Sequence, residues 1–146
     1  MGSKLSMSTS AGEESVKEFI AASVKENEVV FKNKDVAGFD QMWDKFWAEG
    51  GFMIRPSGNP LTKEIWRDMV TAKDIKMEST VLKSVDSINL IAGGQAAVVT
   101  YTAHDKFTYK GTANDDIAKF SGVLEKQGDG AWKFVHLHRA TGQKPE

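Results

Sequence analysis

The residues best equipped for chemistry close the chain. After the Gly130-Ala131 turn comes Trp132-Lys133-Phe134-Val135-His136-Leu137-His138-Arg139, in which two histidines and an arginine end an alternating run of bulky groups. Upstream, Tyr101, His104 and Asp105 share a second run of alternating character. Histidine, aspartate and tyrosine are the usual proton donors and acceptors, so Asp105, Tyr101 and His138 are candidate acid or base groups. An arginine on an apolar strand face is costly to bury without a carboxylate partner or an anionic ligand, which makes Arg139 a candidate ligand-binding residue with Asp105 as its nearest internal partner, Asp115 or Asp116 serving otherwise. Arg55, before the Pro56-Ser57-Gly58 turn, is a second candidate for a polar ligand.

Other chemistries find little support. His104, His136 and His138 fall on one predicted sheet face, but His104 and His136 stand two strands apart, about 9.6 Å, whereas zinc needs both nitrogens within about 2.1 Å. No metal is expected. The chain has no Cys, no H-E-x-x-H, no G-x-S-x-G elbow, no phosphate-binding loop and no dinucleotide glycine run, so no cofactor is expected either. A net charge of -1 gives no basic surface for nucleic acid. No apolar run is long enough to span a bilayer, and residues 1–14 contain no signal-peptide core, so a cytoplasmic location is the default expectation. Met1-Gly2-Ser3-Lys4-Leu5-Ser6 fits a myristoylation pattern at Gly2, the one route to a membrane; otherwise residues 1–12 read as a disordered leader or cloning remnant.

The elements that must position these groups follow from periodicity. Residues 13–31 repeat Val16, Phe19, Ile20, Val24, Val30 and Phe31 near the helical period, with Glu28 assigned to the polar side. Asp35 caps a second helix reaching about Glu49, stopped by Gly50-Gly51, and Thr62 caps a third to Thr71. A short strand, Phe52 to Arg55, lies between them. Strands at 76–91, 95–109, 117–126 and 132–139 complete an α+β layout, with turns at Gly93-Gly94, 110–115 and 127–130. Helices then cover one face of a curved antiparallel sheet, in a single domain over 13–142 with a tail at 143–146.

Centring the turns pairs Tyr101 with Leu124 and Phe107 with Ala118, then Phe120 with Leu137 and Ala118 with Arg139. Val99, Tyr101, Ala103, Asp105, Phe107, Phe120, Leu124, Val135, Leu137 and Arg139 share the helix-facing side. Trp132, Phe134, His136, His138 and His104 fall on the opposite side, where Trp132, Phe134, His136 and His104 are assigned to self-association. One bulge would exchange the faces of every residue beyond it.

This layout, with Phe52-Met53-Ile54-Arg55-Pro56-Ser57-Gly58-Asn59-Pro60 near the middle and the G-x-W-x-x-V-H-x-H-R segment at the end, resembles the nuclear-transport-factor-2-like superfamily over residues 13–142. Its SnoaL-like members and the association domain of calcium/calmodulin-dependent protein kinase II are the most similar. The resemblance implies a cone with a pocket between helices and sheet, assembly into homodimers or larger homo-oligomers, and a pocket position for Arg139. The further arginines of the kinase pocket have no counterpart at 100–102 or 121–123. Metal-independent carbonic anhydrases of the iota class end a similar domain with histidines followed by serines; here Leu137 interrupts the histidines and Arg139-Ala140 replaces the serines.

The expected function is therefore a homo-oligomeric binding and assembly domain whose pocket, bordered by Arg139, Tyr101, Arg55, Asp105 and Phe120, accepts a small polar or anionic molecule. The alternative is a SnoaL-like enzyme doing acid/base chemistry on a small carbonyl compound, and bicarbonate chemistry stands third. The sequence leaves open whether the protein is catalytic at all.

Overall fold

A computed structural model describes residues 10–142; Gly2 with the rest of segment 1–9, and the tail 143–146, lie outside the described residues. Helix α1 (Ala11–Asn33) begins two residues before the expected start because the Ser10 side chain accepts from the Glu13 N–H. It ends at Lys34, which adopts the left-handed conformation and returns its N–H to Phe31 and Val30. Val16, Ile20, Val24 and Glu28 form an i, i+4 row, and all four are buried. Glu28, expected on the polar side, thus belongs to the packed face.

A buried carboxylate must be satisfied, and Glu28 accepts from the Thr80 N–H at 2.9 Å and from Lys25 at 3.0 Å. Burial pushes its pKa up, but the Thr80 N–H and Lys25 together outweigh burial and hold the carboxyl below its ordinary value of 4.5. The stabilisation is therefore complete above that value and is lost as pH falls through the depressed one. Glu28→Ala orphans the Thr80 N–H and is expected to cost about 1–3 kcal/mol in urea unfolding at neutral pH, the difference from the native chain shrinking in acid.

Helix α2 (Val36–Phe46), capped by Asp35, stops earlier than expected. Trp47 turns extended and opens β1 (Trp47–Ile54), so Trp47, Ala48 and Glu49 belong to a strand. The cause is packing: the Trp47 ring stacks on Trp43 with centroids 4.7 Å apart, and a side chain at Gly51 would meet Trp47 Cε3 at 2.8 Å. Glycine there lets the strand bulge over its own tryptophan. A two-residue strand, β2 (Pro60–Leu61), precedes α3 (Lys63–Thr71), which the Thr62 hydroxyl caps as expected.

The remaining strands are β3 (Ile75–Ile91), β4 (Ala96–Tyr109), β5 (Thr112–Lys126) and β6 (Trp132–Ala140). They form a six-stranded sheet in the order β2-β1-β6-β5-β4-β3. The sheet is mixed rather than wholly antiparallel: the meander returns β6 beside β1 in the same direction, with Phe52 against His136 and Ile54 against His138. Three register shifts in β3, one beside Asp86 where the sequence alternation fails, add the bends that curve this edge strand. The three helices pack on this curved sheet in the α+β cone arrangement expected from the sequence, and none of the described helices is long and apolar enough to cross a membrane.

The β4–β5 register differs from the expected one because of its turn. Lys110 and Gly111, with φ of 51° and 81°, make a two-residue hairpin turn in which glycine takes the second left-handed position. Tyr101 therefore pairs with Phe120 and Ala103 with Ala118, four residues from the expected register. An even shift leaves each side chain on its assigned face.

The β5–β6 pair behaves differently. Val123 faces His136 while Leu124 faces Phe134, so Val135 is an extra, bulged residue. Every residue before it changes side. Trp132 and Phe134, assigned to the self-association face, are core residues at 4% and 2% exposure, and Val135, assigned inside, is exposed. The Trp132 indole N–H donates to the Ser15 hydroxyl at 3.0 Å, tying the last strand to α1.

Candidate functional site

On the helix-facing side, β4 presents Val99, Tyr101, Ala103 and Asp105 as a buried row, and β5 adds Ala118 and Phe120. Arg139 lies directly across from Phe120 on β6. Three adjacent strands thus gather Tyr101, Asp105, Phe120 and Arg139 at one end of the concave face. Tyr101 and Phe120 stack with centroids 4.8 Å apart and planes 8° from parallel.

Arg139 is committed to carboxylates. Its Nε and one terminal nitrogen donate to Asp105 Oδ2 at 3.2 and 2.8 Å, and that terminal nitrogen reaches Asp116 Oδ2 at 3.5 Å. The guanidinium also lies over the Phe107 ring, 6.0 Å from its centroid. Side-chain exposure rises from 9% at Asp105 to 15% at Arg139 and 29% at Asp116, so the pair sits just inside the rim. The carboxylate partner expected for a strand-borne arginine is present, joined by the second carboxylate, Asp116.

One atom is left over. Asp105 Oδ1 is buried and has no hydrogen-bond partner. Nearby, burial first and the Asp105 charge second push the Tyr101 phenol above its ordinary pKa of 10.0, so the hydroxyl stays protonated. The concave face therefore holds, all of it buried, a carboxylate oxygen without a donor, a neutral hydroxyl and stacked rings.

The other expected residues lie elsewhere. Arg55 follows Ile54, whose partner is His138, yet its guanidinium donates to the Asn59 and Pro60 carbonyl oxygens at 3.4 and 3.2 Å and locks the 56–59 turn. His138 is exposed on the outer sheet face. His136 lies against the Phe52 ring at 5.1 Å, and His104 shares a hydrogen bond with Asp115. Among the described residues no three His, Cys, Asp or Glu side chains gather as a metal set.

Phe107, expected on the helix-facing side in one row with Ala118 and Arg139, does meet the guanidinium, although its own strand partner is Asn114. One further group is not read from the sequence. Asp86, at a β3 bulge, accepts from Thr102, Ser84 and Lys119 at 2.6, 2.7 and 2.8 Å. Burial pushes its pKa up, and these three donors outweigh it, so a filled acceptor braces the outer face.

Two surface hollows lie apart from this cluster: about 210 Å³ between α1 and β3 beside Glu28 and Thr80, and about 350 Å³ at Lys119 and Ala140–Gly142.

Comparison with known proteins supports the architecture. An NTF2-like protein of unknown function from Prochlorococcus marinus is 26% identical, with a TM-score of 0.72 over 94% of this chain and 97% of its own. A calcium/calmodulin-dependent kinase II association-domain-like protein from Exiguobacterium sibiricum is 14% identical, with a TM-score of 0.68 over 95% of this chain and 99% of its own. A ketosteroid isomerase-like protein from Erwinia carotovora is also 14% identical, with a TM-score of 0.59 over 87% and 96%. The last two share the fold alone. No curated protein matches the sequence. The DUF3804 family, proteins of unknown function, matches residues 44–145. The chain belongs to this family and carries the nuclear-transport-factor-2-like cone fold.

Proposed function

We propose that the protein is a cytoplasmic homo-oligomeric binding domain that receives a small polar molecule at Tyr101, Asp105, Phe120 and Arg139. The observation that carries this reading is the orphaned Asp105 Oδ1, because a buried carboxylate oxygen without a donor is costly and a ligand donor would relieve it. A high-resolution crystal structure tests it: a non-water molecule bonded to this oxygen is expected, and a protein donor closing on it would sink the proposal.

Assembly is supported by the outer face, where Phe52, His136, Val123 and Val98 form a row across four strands next to the exposed Val135. Such a mixed surface suits an interface. Light scattering at micromolar concentration is expected to give a dimer or larger assembly, and Val98→Glu a monomer with its fold intact. A monomeric native chain would refute the assembly half.

The protonated Tyr101, on the same face as the donorless Asp105 oxygen and four residues along β4 from it, favours a second reading, acid/base chemistry on a carbonyl compound, with tyrosine polarising the oxygen and aspartate taking a proton. Protein-dependent deuterium exchange at the α-carbon of small cyclic ketones, lost in Asp105→Asn, would distinguish it from binding alone.

A further inference from the structure

The identity of the bound group can be narrowed from the charges around it, an inference that rests on the small-molecule reading above. The cluster holds two carboxylates, Asp105 and Asp116, and one guanidinium, Arg139, so its sum is one negative charge. Arg139 already directs Nε and a terminal nitrogen at Asp105 Oδ2. Arg139's other terminal nitrogen donates to neither aspartate, so a carboxylate or phosphate could reach it without displacing Asp105, but the like charges of Asp105 and Asp116 at short range disfavour that position.

A ligand that donates meets the opposite situation. Asp105, at 7% exposure, keeps Oδ1 without a donor, and an ionised acceptor is most strongly satisfied by a charged donor. The stacked Tyr101 and Phe120 rings stand on the same face, and aromatic faces attract cations. Arg139 over Phe107 shows this preference within the protein itself. The Tyr101 hydroxyl supplies a neutral acceptor.

We propose that the concave site takes a small organic cation, a primary ammonium or amidinium group that donates to Asp105 Oδ1 with its carbon skeleton against Tyr101 and Phe120. Entry is past Asp116 and Arg139, the members of the cluster nearest solvent. The role expected for Arg139 changes accordingly: it orients Asp105 and leaves the second oxygen free, and it is not the anion receptor.

Three probes of one shape and different charge test this on the full chain by calorimetric titration at neutral pH and low salt: benzylammonium, benzyl alcohol and benzoate. Benzylammonium is expected to bind at least tenfold more tightly than the other two. Asp105→Asn removes the charge while keeping an acceptor, and should weaken benzylammonium tenfold or more and benzyl alcohol, which loses only a charge-assisted hydrogen bond, by clearly less. Because Asp105→Asn disturbs a buried pair, Asp116→Asn at the rim provides the second arm, with a several-fold loss expected for benzylammonium alone. Benzoate binding most tightly, or benzyl alcohol matching benzylammonium, overturns the cation inference and leaves the small-molecule reading standing. If none of the three binds, both fall.

Discussion

Arg139→Ala is expected to lower the free energy of unfolding by about 3–5 kcal/mol, the loss typical when one member of a buried ion pair is removed. The substitution strands Asp105, already missing a partner for Oδ1, with both oxygens unsatisfied and the Asp116 carboxylate as its cross-strand neighbour. For a chain of this length the loss corresponds to a drop of roughly 6–20 °C in melting temperature. The charge left behind, rather than the contact removed, causes most of the damage. Arg139→Met combined with Asp105→Leu should accordingly recover most of the stability, since replacing a buried pair with apolar groups of similar volume is often neutral. Urea denaturation of the native chain, both single variants and the double variant forms the required cycle. A single-variant loss below about 1 kcal/mol would mean that the pair behaves as a solvent-screened surface bridge.

The pair illustrates what sequence patterning can resolve. Alternation along β4 placed Tyr101 and Asp105 on one face, and a strand period of two is insensitive to even errors of register. The four-residue error in the first hairpin therefore did no harm to the site. Odd errors are another matter. The bulge at Val135 left no mark in the alternation of Trp132 to Arg139, because every position there is bulky or amphipathic, and so Trp132 and Phe134 were assigned to the wrong side. Periodicity likewise carried α2 through Trp47, since a tryptophan four residues after Trp43 extends a helical stripe as readily as it begins a strand. Only the close approach of Gly51 to the Trp47 ring distinguishes the two. Glu28 continues the Val16, Ile20, Val24 row, but a carboxylate on such a row is buried only where a donor meets it, and that donor, the Thr80 N–H, comes from a distant strand that the helical period does not reveal. Arg55 could not be placed, because its partners are carbonyl oxygens of a turn whose shape the sequence only suggests.

Phe134 offers the other large effect, and it separates core from interface. Its ring lies 5.0 Å from that of Phe19 on α1 and 5.1 Å from that of Trp47, itself stacked on Trp43 and edge-on to Trp66 at 5.7 Å. This aromatic cluster is where the first two helices, α3, β1 and β6 meet. Phe134→Ala would open a cavity at that junction, and large-to-small changes of this kind cost about 3–5 kcal/mol. The loss is expected to appear as a lower urea midpoint that does not vary with protein concentration, because the contacts broken lie within one chain. An interface residue behaves otherwise: its removal makes the apparent stability depend on concentration through subunit dissociation. His136, two residues along and on the outer face against Phe52, is the matched control, for which His136→Ala should leave the unfolding of the isolated chain nearly unchanged and weaken assembly. If Phe134→Ala instead dissociates the assembly while each chain keeps its stability, Val135 is not bulged, the alternation of β6 runs unbroken to Trp132, and the aromatic cluster belongs to the contact between copies.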